Sequence, residues 1–472
     1  MASPSRSLLL FLRLLLCFLL PASISAATLT FSLSPLAQYP PFPSSDPHVL
    51  LNELSASSRS RALHLRRSKQ NSTAAKASES LVDAPLYSHS YGGYSITLGF
   101  GTPPQSIPLV FDTGSSLVWL PCTSRYSCSG CNFPDVSLIP AFIPRLSSSA
   151  RIVGCSNPKC SWLDGRDPAS RCGHCASRAS CTCPPYIFQY GSGSTGGILL
   201  TETVTFPKRM TKAGVLIGCS VASMRQPAGI AGFGRDRESL PTQLGARRFS
   251  YCLQSRNFDD TQVSSELILE TGPGQSGQKS AGASYTDLLR NPDKSNAAYQ
   301  EFYYILLRRI TIGDKHLKLP YKYSKPRLDG SGGTIIDSGS TFTFMERPIF
   351  DLVAREIEAQ MHGYRRSVEA ETKTGLQRCF KVSGTGKVRF PELLLHFKGG
   401  AEVALPPENY FALIGNTDVV CLTVVTDDGA GPELGSGGPA VILGSFQQQN
   451  LYVEYDLENE RIGFRRQKCG KQ

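Results

Sequence analysis

The chain has 472 residues and a formal charge of +11, from 49 Lys and Arg against 38 Asp and Glu. The basic residues are scattered and form no stripe interleaved with aromatic side chains, which argues against nucleic-acid binding as an explanation of the charge. Attraction to acidic polymers or membrane surfaces remains open.

Residues 1–26 have the pattern of a signal peptide. Arg6 and Arg13 lie around an apolar run from Leu8 to Leu20, and small residues follow it. A membrane anchor is the alternative, but Arg13 interrupts the run, which is shorter than the roughly 20 apolar residues that a spanning helix needs. We therefore predict entry into the secretory pathway and no membrane span.

The next segment, residues 27–85, is called the leader below. It is rich in Ser, Ala, Pro and basic side chains and shows little sustained apolar periodicity, so a disordered linker is one interpretation. Its basic side chains include Arg59, Arg61, Arg66, Arg67 and Lys69. It also holds the chain's only glycosylation acceptor with a permitted middle residue, Asn71.

Two distant runs share one pattern, an apolar strand that ends in Asp-(Thr/Ser)-Gly-Ser. They are LVFDTGSS at residues 109–116 and TIIDSGST at residues 334–341, which places Asp112 and Asp337 225 residues apart. The small residues suit tight loops that expose a carboxylate. One such run is most often an ordinary turn, but a matched pair predicts two similar halves that each supply one buried aspartate.

Two later runs, GIAGFG at residues 229–234 and VILG at residues 441–444, each follow one aspartate run. Together these motifs resemble the pepsin-like aspartic proteases, in which each aspartate strand is completed by a later apolar-apolar-Gly strand of its own lobe. The run ILGSFQQQN at residues 442–450 resembles the nepenthesin-like plant branch. The resemblance covers about residues 88–469.

The resemblance implies a mostly β, bilobal pepsin-like fold with pseudo-two-fold lobes and a Cys-rich insertion in the N-terminal lobe. About 385 mature residues also exceed what one core usually serves. The expected parts are a signal peptide at 1–26, a prosegment at 27–85, an N-terminal lobe with Asp112 and the flap at 86–255, a lobe junction at 256–300 and a C-terminal lobe with Asp337 at 301–472. Apolar side chains on one helical face predict a helix at residues 348–361.

In pepsin-like zymogens a basic leader covers the acidic cleft, and the resemblance implies this role for the leader here. The physical reason is that cations keep nearby carboxylates ionised and block the site of the reacting water.

By the same resemblance, Asp112 and Asp337 are the catalytic pair. Like charges about 3 Å apart cannot both ionise, so the two carboxyls share one proton. One then acts as base towards a water while the other polarises the scissile carbonyl, and no cofactor or metal is implied. The implied supporting residues are Thr113 and Ser338, whose hydroxyls cross between the loops, Ser115 and Ser340, which bond the outer carboxylate oxygens, and Gly114 and Gly339, which let backbone amides approach.

The run YGSGS that begins at Tyr190 predicts a hairpin with a Gly-Ser tip and matches the flap of the family. The resemblance implies that Tyr190 covers the substrate, with Gly191 and Ser192 beside it, and that Trp119 hydrogen-bonds its hydroxyl. A phosphate-binding loop is the alternative, but neither a helix nor a Lys follows the glycines.

Removal of Cys17 with the signal peptide leaves 14 of the 15 cysteines, so disulfides are expected in a secreted chain. Nine lie between Cys122 and Cys183, and the cluster at residues 172–183 could also be a zinc site. The resemblance implies the pairs Cys131–Cys219, Cys252–Cys469 and Cys379–Cys421. The pairing of the other eight stays open, because the branch usually has two fewer cysteines.

Three functions follow as hypotheses. The first is a secreted aspartic endopeptidase that acts on polypeptides at acid pH, as a monomer, in the extracellular cell-wall space rather than the vacuole. The second is an inactive binding or inhibitor protein on the same scaffold, which loss of an aspartate or of the flap tyrosine would indicate, and neither is lost. The third is a redox or zinc module built on the Cys cluster, which thiol titration would reveal.

Overall fold

The structure is a computed structural model, and the residues it describes form fourteen stretches. They are 27–35, 46–66, 93–131, 139–163, 172, 181–191, 193–226, 228–255, 264–272, 277–292, 299–382, 388–415, 417–427 and 437–470. The predicted signal peptide, Asn71 and Ser192 lie outside these residues.

Fifteen of the described strands form one large sheet, which holds the first half of the chain and the last two strands. Its strands are β1 (Ala27–Pro35), β2 (Tyr94–Phe100), β3 (Gln105–Asp112), β4 (Trp119–Pro121), β5 (Ser127–Ser129), β6 (Arg151–Ile152), β7 (Tyr186–Gln189), β8 (Ser194–Thr205), β9 (Thr211–Met224), β10 (Gly229–Gly232), β11 (Ala246–Cys252), β12 (Ser265–Thr271), β13 (Ser284–Asp287), and, from the end of the chain, β27 (Leu451–Asp456) and β28 (Arg461–Arg466).

The second half of the chain adds three smaller sheets. Their strands are β14 (Tyr304–Ile305), β15 (Leu307–Ile312), β16 (Lys315–Lys318), β17 (Thr334–Ile336), β18 (Thr343–Met345), β19 (Arg365–Arg366), β20 (Cys379–Lys381), β21 (Leu393–Phe397), β22 (Glu402–Leu405), β23 (Phe411–Leu413), β24 (Val419–Leu422), β25 (Val424–Val425) and β26 (Val441–Leu443). The sheet in the order β14, β17, β26, β18, β25 carries the second aspartate run.

α-Helices are few among the residues that the structure describes, as the mostly β prediction requires. They are α1 (Pro47–Leu65), α2 (Leu240–Leu244), α3 (Tyr321–Ser324), α4 (Arg347–Gln360) and α5 (Val368–Thr374). The helix predicted at residues 348–361 is confirmed as α4, which buries Ile349, Val353 and Ile357. In the described part of the chain, no helix is both long and apolar enough to cross a membrane.

Each aspartate strand lies parallel to the later strand that the sequence paired with it. Strand β3 pairs with β10 so that Asp112 is opposite Gly232, and β17 pairs with β26 so that Ile336 is opposite Leu443. This pairing is confirmed in both halves. It places the two aspartates where both strands end.

The described part of the leader is ordered, contrary to the linker interpretation. Strand β1 lies between β12 and β2 in the large sheet, and its alternate side chains Leu29, Phe31 and Leu33 are buried in the core. This is the period-2 pattern of a half-buried strand, and it is too short to stand out within a segment of low periodicity.

Helix α1 of the leader begins at a capping residue, since the Asp46 side chain accepts a hydrogen bond from the His48 N–H. Its apolar side chains pack in a cluster with the second half of the chain. The members from α1 are Leu51, Leu54, Ala62 and Leu65. The buried face also carries polar Glu53, Ser55 and Ser58, and this mixture conceals the helical period in the sequence.

Candidate active site

The two aspartates meet at the centre of the molecule and are almost fully buried, with 1% of Asp112 and none of Asp337 exposed. In each loop the N–H two residues on donates to the inner oxygen, and the Ser hydroxyl three residues on donates to the outer oxygen. The bonds are Gly114 N to Asp112 Oδ1 at 2.9 Å, Ser115 Oγ to Asp112 Oδ2 at 2.5 Å, Gly339 N to Asp337 Oδ1 at 2.9 Å and Ser340 Oγ to Asp337 Oδ2 at 2.6 Å.

Crossed hydrogen bonds tie the two loops together. The Thr113 N–H donates to Ser338 Oγ and the Ser338 N–H donates to Thr113 Oγ1, both at 3.0 Å. Each hydroxyl in turn donates to a carbonyl of the opposite strand, Thr113 Oγ1 to Ile336 O at 3.2 Å and Ser338 Oγ to Phe111 O at 3.0 Å. The loops are therefore held in one fixed relation.

Glycine is required beside each aspartate because the opposite carboxylate comes so close. A Cβ on Gly114 would lie 2.5 Å from Asp337 Oδ1, and a Cβ on Gly339 would lie 2.4 Å from Asp112 Oδ1. Any side chain at either position would force the loops apart.

Arg61 of α1 contacts both carboxylates at once. Its Nη2 donates to Asp112 Oδ1 at 2.6 Å and to Asp337 Oδ1 at 3.0 Å, and its Nε donates to Asp337 Oδ2 at 2.7 Å. The guanidinium is only 12% exposed, so these ion pairs are poorly screened by solvent. Sequence analysis placed Arg61 among the basic residues of the leader but gave no means of selecting it.

The pKa values of the two carboxyls are shifted in opposite directions. Burial, together with the charge of Asp337, raises the pKa of Asp112 to about 6, although Arg61 works against this. Burial also acts to raise the pKa of Asp337, but the charge and hydrogen bonds of Arg61, with the Ser340 hydroxyl, leave that pKa below its usual value. At mildly acid pH the pair therefore favours a state with one proton and one negative charge.

Further contacts hold α1 against the second half of the chain. The Phe342 N–H donates to Ser58 Oγ at 2.9 Å, and Arg66 donates to Glu346 Oε1 at 2.8 Å and to Pro439 O at 3.2 Å. Arg66 is 4% exposed, so it anchors the end of the helix in the interior.

The flap is the hairpin of β7 and β8, closed by mutual backbone hydrogen bonds between Tyr190 and Gly193. Gly191 accepts a hydrogen bond from the Ser60 hydroxyl of α1, and the Tyr190 ring lies 6.4 Å from that of His64. The flap thus rests on the leader.

Trp119 and Tyr190 are neighbours, with ring centroids 6.1 Å apart. Tyr190 also lies beside His64 of the leader helix. The hydrogen bond expected from Trp119 to the Tyr190 hydroxyl stays a prediction.

The predicted pair Cys131–Cys219 is also wrong, because Cys219 is bonded to Cys122. Strand β4 runs parallel to β9 with Leu120 opposite Cys219, and the Cys122 N–H donates to Ser220 O, which sets Cys122 beside Cys219. Cys131 instead closes a short loop with Cys128.

The other described disulfides are Cys155–Cys172, Cys160–Cys183, Cys252–Cys469 and Cys379–Cys421. The sulfurs of Cys155, Cys160 and Cys172 lie within 4.8 Å of one another because two of these disulfides are adjacent.

Two known family descriptions together match nearly all of the described residues that follow the leader. Residues 94–269 match the family described as "Xylanase inhibitor N-terminal" and residues 302–466 match "Xylanase inhibitor C-terminal".

Curated relatives with similar sequences carry protease names. A probable aspartyl protease of Arabidopsis thaliana is 32% identical over 424 residues, which are 80% of this chain and 82% of the relative. The aspartic proteinase nepenthesin-2 of Nepenthes gracilis is 32% identical over 400 residues, 83% of this chain and 81% of the relative.

Solved structures agree in fold. The protein named edgp matches with a TM-score of 0.59 and 22% identity, over 79% of this chain and 91% of its own. Conglutin gamma, a basic 7S globulin from lupine seeds, matches with a TM-score of 0.56 and 18% identity, over 80% of this chain and 93% of its own.

Proposed function

Because the chain belongs to the pepsin-like aspartic protease family, in its nepenthesin-like plant branch, we propose that it is an aspartic endopeptidase whose Asp112 and Asp337 activate a water against peptide bonds. The observation that carries the proposal is the pair of buried carboxyls with matched hydrogen bonds and opposite pKa shifts. That is the arrangement a shared-proton acid and base require.

The inner oxygens mark where the water would act. Arg61 Nη2 donates to Oδ1 of both aspartates, so a single polar atom placed between them reaches both. A water in that place gives its proton to the ionised carboxyl while the protonated one hydrogen-bonds the scissile carbonyl. Thr113 and Ser338 keep the loops in register, and Ser115 and Ser340 stabilise the outer oxygens.

The form described is the inhibited precursor in this proposal, and residues 27–85 are its prosegment. Arg61 fills the place of the water and neutralises both carboxyls, while α1 lies under the flap where a polypeptide substrate would lie, next to Tyr190 and Gly191. Ser192 is expected to contact the substrate as well. Activation is removal of the leader at a site near residues 81–87, which the structure does not describe.

The remaining features of the proposal come from the sequence. The signal peptide directs the chain to the secretory pathway, with the extracellular cell-wall space as destination, and Asn71 carries a glycan that leaves with the leader. The enzyme acts as a monomer at acid pH, without a cofactor.

A second candidate is an inactive inhibitor or binding protein, which the family description and the globulin structure favour. The intact pair of aspartates and the flap tyrosine favour the protease.

Full-length protein, acidified to release the leader, should cleave a denatured protein mixture, and a statine-type transition-state mimic should block the cleavage. The matched control is Asp337→Asn, carried through the same steps. No cleavage by wild type at any pH between 3 and 7, with the leader removed, would assign the chain to the inactive class.

A further inference from the structure

A buried chain of polar side chains runs beneath the two aspartate loops. The Tyr251 hydroxyl donates to Gln448 Oε1 at 2.5 Å and lies 3.3 Å from the Tyr455 hydroxyl. The chain therefore runs from the phenol of Tyr455, through that of Tyr251, to a glutamine.

The glutamine end of this chain reaches the backbone of Asp337. Gln448 Nε2 donates to Leu443 O at 2.8 Å, and the same carbonyl accepts the N–H of Asp337 at 3.1 Å. The chain thus ends at the carbonyl that also binds the backbone of Asp337.

The donor at each step is fixed by the glutamine. Its amide nitrogen faces Leu443 O, so its oxygen must accept from Tyr251. The Tyr251 oxygen is then left to accept from Tyr455. Thr113 lies outside this chain, because its hydroxyl hydrogen is donated to Ile336 O.

The three side chains of this polar chain are buried, with 1% of Tyr251 and none of Tyr455 or Gln448 exposed. The phenol rings are held by packing that does not involve their hydroxyls. Tyr455 stacks on Phe249 at 4.3 Å and meets Tyr303 edge-on at 4.6 Å, while Tyr251 meets Phe111, the neighbour of Asp112, at 5.1 Å. Removing a hydroxyl alone would therefore leave the core filled.

We propose that Tyr455 and Tyr251 are positioning residues for the aspartate pair, which act through Gln448 and Leu443 O to hold Asp337 at a fixed separation from Asp112. This rests on the proposed protease function and deepens it. Loss of the Tyr455 hydroxyl removes the donor to Tyr251. Loss of the Tyr251 hydroxyl leaves the Gln448 oxygen without its donor, which loosens the amide that shares Leu443 O with Asp337.

The test compares single hydroxyl deletions in the enzyme obtained from the full-length chain after leader removal. Tyr455→Phe is expected to lower kcat about tenfold with KM unchanged and to displace the pH–rate profile. Tyr251→Phe is expected to do the same, and the double variant should be no slower than the slower single one, because the two hydroxyls act as one chain.

Tyr304→Phe is the matched control. Tyr304 is also fully buried, and it pairs with Ile335 in the second aspartate strand, but its hydroxyl has no hydrogen-bond partner in the described part of the chain. Its removal should leave kcat, KM and the pH profile unchanged.

Wild-type kcat and pH profile in Tyr455→Phe would overturn the positioning role while the protease function stands. A parallel loss in Tyr304→Phe would also overturn it, because any buried phenol would then have the same effect. If Tyr455→Phe fails to fold, Tyr251→Phe gives the same decision, since it removes the next hydroxyl of the same chain. An inactive wild type would overturn the protease function itself, and the positioning role with it.

Discussion

The two aspartate loops have nearly the same internal hydrogen bonds, yet the pKa values of their carboxyls are shifted in opposite directions. Each accepts one backbone N–H and one Ser hydroxyl at closely similar distances. The pKa of Asp112 is raised to about 6, whereas that of Asp337 is lowered. The difference must therefore come from outside the loops.

Arg61 is the main asymmetric neighbour. It makes two hydrogen bonds to Asp337, through Nε and Nη2, but one to Asp112. A forked guanidinium can approach only one carboxylate with both arms, and the other carboxylate keeps the cost of its burial. The leader therefore makes more hydrogen bonds to Asp337 than to Asp112 in the precursor, and neither loop supplies this asymmetry.

The largest expected effect comes from removing either carboxyl. Asp112→Asn and Asp337→Asn should each lower kcat/KM by about 10³-fold or more, because the pair loses its acid or its base. Leader retention should differ between them, since Asp112→Asn keeps the two-armed contact with Arg61 and Asp337→Asn loses it. Hydrolysis of a quenched peptide and digestion of the leader by an added protease at neutral pH measure the two effects. Equal leader retention would contradict the asymmetry.

The next largest effect is expected for Arg61→Met in the precursor. Breaking a buried ion pair from one side costs about 3–5 kcal/mol, so the docking equilibrium of α1 should weaken more than about 100-fold. The precursor should then cleave a small peptide without an acid step. Arg59→Met is the control. Arg59 lies in the same helix as Arg61, but it donates to Gly375 O and does not contact the aspartates in the described residues. Equal activation by both variants would show that the helix, not the ion pair, provides the inhibition.

A change in pH is expected to alter the docking of α1 about tenfold. Two groups contribute to this change, and their contributions have opposite signs. Arg61 acts to lower the pKa of both aspartates, so docking of α1 favours their ionised forms and weakens as the pH falls through about 6, where Asp112 takes up a proton. Burial raises the pKa of Glu53 to about 7, so docking favours neutral Glu53 and weakens as the pH rises from the usual range of a Glu carboxyl to about 7, where this loss is complete.

Below about pH 7 the two groups therefore have opposed effects on the resistance of the leader to an added protease. Glu53→Gln, which stays neutral, should remove the loss due to Glu53, making the leader about tenfold more resistant at pH 8 and leaving its resistance at pH 4 unchanged. Unchanged resistance at pH 8 would exclude Glu53 as the group responsible.

The smallest effect is expected from the outer hydroxyls. Ser115→Ala and Ser340→Ala each remove a donor to an ionised carboxylate, which raises its pKa and should shift the pH–rate profile of the mature enzyme upward by up to about one unit. The shifts should be equal, because Arg61 has left. Clearly unequal shifts would locate part of the asymmetry in the loops themselves.

The sequence predicted the aspartate strands, their later partners and α4 because each has a sharp local signal, such as Asp-(Thr/Ser)-Gly-Ser or the apolar face of Ile349, Val353 and Ile357. The mostly β fold and the family followed from these. The leader helix escaped prediction because its buried face carries Glu53, Ser55 and Ser58, whose burial depends on partners distant in the chain. The pair Cys122–Cys219 depends on the register of β4 against β9, which spacing cannot supply.

The position of β1 within the large sheet affects the composition of the mature enzyme after activation. Strand β1 pairs with β12 along seven residues and with β2 at two, so it fills a gap between two strands that do not otherwise meet. A cut between residues 66 and 93 separates it from the body without breaking any of these hydrogen bonds. If the peptide stays, the mature enzyme is one species on a sizing column and two bands on a denaturing gel. If it leaves, two sheet edges open to water, and such edges pair with whatever strand is nearest, including that of another molecule.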